Sequence, residues 1–67
     1  MANKIKFLAY SAEIYKREKG LTGSELYALF AKYNVWEYLF ECFEYLHTVG
    51  SKTTIYDIDK YIEKAVG

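Results

Sequence analysis

Glu44 and His47 stand three residues apart in Glu44-Tyr45-Leu46-His47, the Glu-x-x-His spacing with which one helical turn presents two ligands to a carboxylate-bridged pair of metal ions. Such a centre takes two of these motifs and further carboxylates, and His47 is the only histidine, so a symmetric dimer would have to supply the second. On a helix His47 shares the side of Trp36 and Phe40, whereas Glu44 lies on a narrow wet strip with Glu37 and Glu41. The reading is a core or boundary histidine bonded to a backbone carbonyl, with no metal and no cofactor.

The remaining reactive side chains fare no better. Cys42 as a nucleophile lacks a base, because His47 is five residues on and about 140° around a helix. It reads as a small buried hydrophobe. Asp57 and Asp59 are two residues apart and point to different sides of a helix, Ser24 has no base beside it, and the glycines of 20–23 and Gly50 lack the strand context of a phosphate-cradling turn. No enzyme is expected from these residues.

A helix-turn-helix outline around Lys32 to Val35 raises DNA binding. The would-be recognition helix carries Glu37, Glu41 and Glu44 and no Lys or Arg, whereas phosphate contacts and guanine readout need cations. What remains of a nucleic-acid reading is a small regulator using the basic first helix, where Lys16, Arg17 and Lys19 equally complement the dipole of a last turn.

The elements follow from caps and periodicity. Asn3 caps a first helix in which Ile5, Leu8, Ala12 and Tyr15 form the inner stripe, widened by Phe7 and Ile14, until Gly20 ends it. Thr22 and Glu25 read as a capping box opening a second helix through Leu26, Leu29, Phe30 and Tyr33, and Asn34 closes it. Val35 to His47 is then a thirteen-residue third helix in which almost every position other than the glutamates is apolar or aromatic, so it is expected to be central and mostly buried. Gly50 stops it. A last helix is expected to be capped by Thr54, with Asp57 in its first turn and Ile55, Ile58, Ile62 and Ala65 facing inward; an extended Thr53 to Tyr56 is the alternative. The expectation is an all-α, compact four-helix domain spanning 1–67.

Sixty-seven residues support one domain, and a domain of about 60 residues buries only about 60% of the surface its unfolded chain exposes. The chain is nevertheless 52% hydrophobic and 19% aromatic with eight tyrosines, more greasy surface than so small a body hides. Tyr10, Tyr15, Trp36, Tyr38, Phe40 and Tyr45 are therefore the candidate interface, and a homodimer or another protein partner is expected. Net charge is zero but uneven: Lys4, Lys6, Lys16, Arg17 and Lys19 make the start positive, and Glu25, Glu37, Glu41 and Glu44 make the middle negative. A single cysteine suits a reducing compartment, no apolar run approaches the roughly 18 residues that span a bilayer, and no secretory signal core follows Lys4 and Lys6, so a cytoplasmic protein is expected.

Leu-Thr-Gly-Ser-Glu-Leu (21–26), Leu-Phe-Ala-Lys-Tyr-Asn-Val (29–35), Leu-His-Thr-Val-Gly (46–50) and Asp-Ile-Asp-Lys-Tyr-Ile (57–62) resemble an uncharacterised family, a domain of unknown function, of short bacterial all-helical proteins. The sharpest elements are Leu46-His47-Thr48-Val49-Gly50, Asp57-Ile58 and Tyr61-Ile62. The resemblance supplies no activity. It implies products of small operons, sometimes beside an ADP-ribosyltransferase-like protein, and hence an accessory or antitoxin-like partner of a neighbouring gene's product. The motif has a structural reading, with Thr48 on the last carbonyls, His47 bonded across to the final helix and Gly50 as a positive-φ cap. The other reading is that His47, Thr48, Gly50, Asp57 and Tyr61 border a groove for a partner segment.

Overall fold

Asn3 opens the first helix by accepting the Lys6 backbone N–H on its side chain at 3.1 Å. In the computed structural model, which describes residues 3–67, this helix is α1, Lys4–Lys19. Residues 1 and 2 of the domain expected over 1–67 lie outside the described residues. Gly20 ends α1 at φ 66°, and its N–H and that of Leu21 donate to Arg17 O and Lys16 O. The capping box at Thr22 and Glu25 is present in both directions and opens α2, Gly23–Lys32. Asn34 takes the left-handed conformation at φ 57° and turns the chain into α3, Val35–Glu41.

The single third helix expected over Val35 to His47 does not form. The chain breaks at Cys42 (φ −94°, ψ 13°), and a short α4, Phe43–Leu46, follows. Tyr45 and Leu46 both donate to Cys42 O, at 3.2 and 2.9 Å, which tightens the backbone there. The described residues thus form five helices rather than four. No glycine or proline marks the break; it falls where the segment turns to lay Phe43 against Phe7 of α1, ring centroids 5.4 Å apart.

The last helix, α5 (Ser51–Val66), also begins earlier than expected. Gly50, at φ 85° and ψ 168°, is its N-cap, and Thr54 lies inside the helix with its hydroxyl donating back to Gly50 O at 2.9 Å. Thr54 is needed in the core rather than at the end: it and Ile58 are buried on one face, with Ile55, Tyr61 and Ile62 packed beside them. Residues 53–56 are helical, and Ala65, expected inward, is exposed.

The core is drawn from every helix: Phe7, Ala12 and Tyr15 of α1, Leu26 and Phe30 of α2, Val35 and Leu39 of α3, Phe43 and Leu46 of α4, and Ile58 of α5. Each large apolar side chain so buried contributes about 1.5–3 kcal/mol. α3 packs against each of the other four helices. It is not wrapped by them: the stripe Val35, Leu39, Phe43 and Leu46 is covered, whereas Phe40 is 44% and Tyr45 58% exposed. In α1 the buried line runs through Phe7, Ser11, Ala12 and Tyr15, and Ile5, expected inside, stands 68% exposed. Among the described residues no helix is long and apolar enough to cross a membrane.

Candidate functional site

Exposed Phe40 and half-buried Leu8 and Trp36 lie together between α1 and α3, while Tyr10, Tyr45, Tyr56 and Val66 are exposed on other parts of α1, α4 and α5. Leu8, Trp36 and Phe40 floor a hollow of about 310 Å³ with Glu37 and Glu41 on its rim. Trp36 is held in place from behind, its ring edge-on to Phe30 at 5.0 Å and tilted against Tyr27 at 5.6 Å. A second hollow of about 280 Å³, between α1 and α2 and floored by Ala9, Ala12, Leu26 and Tyr27, shares Trp36 with the first. At the other end the Lys4 ammonium sits 4.5 Å above the centre of the Phe40 ring. On the helix Ile5 lies between Leu8 and Ala9, so it projects from this same face.

On the other side of α1, a cavity of about 440 Å³ opens between α1, α4 and the start of α5. Phe7, Phe43 and Leu46 form its apolar part, and Lys6, Tyr10 and His47 stand around it. The His47 ring stacks on Phe43 at 4.7 Å and 17°. It is exposed, not the core or boundary histidine expected, and none of the side-chain hydrogen bonds among the described residues joins it to a backbone carbonyl or to α5.

The candidate interface residues separate in space. Trp36 and Phe40 share the α1–α3 hollow, Tyr10 borders the cavity on the opposite side, and Tyr45 projects from α4. Tyr38 stacks on Tyr61 at 4.3 Å and 15°, joining α3 to α5. Burial, and then the charge of Asp57, raise its phenol pKa. Tyr15 is not available to a partner: it is 4% exposed, and its hydroxyl donates to Asp59 Oδ1 at 2.6 Å while Lys19 holds Asp59 Oδ2 at 2.7 Å. Burial, the hydrogen bond to Asp59 and the Asp59 charge, in that order, push the Tyr15 pKa well above its ordinary value.

The motif residues divide as well. His47 and Gly50 line the cavity with Thr54, and the Thr48 hydroxyl donates to Tyr45 O at 2.7 Å, the structural role its position suggested. Asp57 and Tyr61 do not line that cavity, so the five residues do not border one groove. Gly50 has the expected positive φ, but as the N-cap of α5. Among the described residues no group of three or more His, Cys, Asp or Glu side chains could hold a metal ion. The basic end of α1 is largely compensated, Glu13 lying 3.5 Å from both Lys16 and Arg17, and Lys19 being bound to Asp59.

Two participants were missed from sequence, Ile5 and Asp59. Ile5 fits the helical stripe of Leu8 and Ala12, and only the position of α3 decides that the stripe is buried one residue further round. Asp59 looks like any wet acidic residue until α1 and α5 are brought together.

No curated protein and no solved structure matched the chain. Residues 6–65 match the family described as Protein of unknown function (DUF3791), and this protein belongs to that family.

Proposed function

We propose that this protein is a non-catalytic interaction module, acting in the cytoplasm as an accessory partner of another protein chain, including the product of a neighbouring gene. The observation that carries the reading is the α1–α3 face, where Ile5 and Phe40 stand exposed beside half-buried Leu8 and Trp36. Burying such side chains is worth about 25 cal/mol per Å² of apolar surface, and a contiguous exposed patch of this kind marks a place of association. The charges support the same reading over a nucleic-acid one. Three of the five cations of α1 are engaged by Glu13 and Asp59, and α3 presents carboxylates.

The test is co-expression of the tagged chain with the products of the genes that flank its own, followed by co-purification and a mass measurement by light scattering. A stoichiometric complex, with a flanking product or with itself, is expected. A protein that stays monomeric at every concentration and retains none of those products overturns the proposal.

A further inference from the structure

We propose that the hollow between α1 and α3 receives Ile5 of a second copy of this chain, making the protein a twofold dimer. This rests on the interaction reading above and names its partner. Knob and hole lie on one face: Ile5 projects from it at 68% exposure, and Leu8, Trp36 and Phe40 floor a hollow of about 310 Å³ beside it. A twofold axis lying in the plane of that face, midway between knob and hole and at right angles to the line joining them, sets the knob of each copy in the hole of the other, an isologous contact made twice.

The charges select the occupant. Lys4 precedes the knob, and Glu37 and Glu41 rim the hole. The described residues place none of these three in an ion pair. The same rotation brings Lys4 of each copy toward Glu37 and Glu41 of the other, so the lysine and the carboxylates at the contact are of opposite sign. A partner of one sign would oppose either Lys4 or the two glutamates. A stable interface takes about 800 Å² from each partner, which on a molecule of 32 × 24 × 19 Å requires the contact to spread over most of a broad face. The hollow continuing past Trp36 to Tyr27 extends the apolar surface in that direction, and exposed Ala9 beside it offers little bulk to a second copy.

Sedimentation equilibrium from micromolar to millimolar concentration tests this. Wild type is expected at twice its 7.9 kDa chain mass. Ile5→Glu, which sets a carboxylate against two others, is expected to weaken the dimer by roughly a hundredfold while helicity stays as in wild type. Glu37→Lys with Glu41→Lys should do the same, and adding Lys4→Glu should restore the dimer; Tyr45→Ser, on α4, should leave it intact. A wild type that is monomeric throughout overturns the inference and leaves binding to flanking gene products to be judged on its own measurement. A dimer indifferent to Ile5→Glu and to the charge reversals also overturns it, although self-association itself then stands.

Discussion

Tyr15 and Asp59, 44 residues apart in the chain, meet at 2.6 Å, the phenol of α1 donating to a carboxylate of α5. Lys19, one turn after Tyr15, takes the other carboxylate oxygen. One acidic side chain thereby fastens the first helix to the last with both its oxygens, and a neutral donor shares it with a charged one. A cation of the first helix and a carboxylate of the last thus meet within one chain.

This clasp predicts alkaline sensitivity. The folded-state pKa of Tyr15 is raised, by burial first and then by Asp59, and that of Lys19 is raised by its hydrogen bond to Asp59. The folded protein therefore keeps protons that the unfolded chain gives up, and the associated stability is complete below the unfolded pKa values and lost as pH rises above about 10. The melting temperature should be level through the neutral range and fall above about pH 10. Tyr15→Phe should soften that fall without abolishing it, since Tyr38 is shifted in the same direction. Equal alkaline slopes for Tyr15→Phe and wild type, followed by circular dichroism, would refute the assignment.

Gly50→Ala should cost about 1–3 kcal/mol in urea denaturation, because φ 85° with ψ 168° is a region open essentially to glycine alone. A Cβ there meets nothing within 4 Å, so the cost is torsional rather than steric. Gly23→Ala is the control. It too has open space around its Cβ and lies at negative φ in the first turn of α2, so it should be neutral or stabilising by about 0.5 kcal/mol.

Ser11 is fully buried, and its hydroxyl has no hydrogen-bond partner among the described residues. Ser11→Ala removes an unsatisfied polar atom with almost no change of shape, so a gain of about 1 kcal/mol is expected. A loss of that size would mean that the hydroxyl is bonded in solution.

Thr22→Ala should destabilise by about 1 kcal/mol and Glu25→Ala by less. Because each side chain caps the other's backbone, the double variant should lose less than the two single losses combined. Strict additivity would show that the box does not act as a unit.

The helix ends legible in the sequence were those whose signals are local. Asn3, Gly20, the Thr22 and Glu25 pair and Asn34 each act on backbone groups within four residues, and each sits where its chemistry suggests. The departures are tertiary. Residues 35–47 contain no glycine or proline, so nothing local announces the turn at Cys42 that sends Phe43 to Phe7. Thr54 has the side chain of a cap, yet burial next to Ile58 draws it into the helix and leaves the cap to Gly50. That Phe40 stands outside was legible, because an aromatic-rich helix in so short a chain has to leave some rings exposed. Ile5 was not, since its exposure depends on where α3 lies, and Tyr15 was misplaced because its partner is 44 residues away.

The break at Cys42 also equips the molecule with a built-in reporter. The only thiol sits half-buried at the joint between α3 and α4, and its carbonyl accepts two N–H groups there. Alkylation by a maleimide or an iodoacetamide should quicken whenever that joint opens and exposes the thiol fully, so changes in the labelling rate report on this one spot. Compared with the rate of global unfolding, that rate separates local breathing from loss of the whole fold without any engineered label.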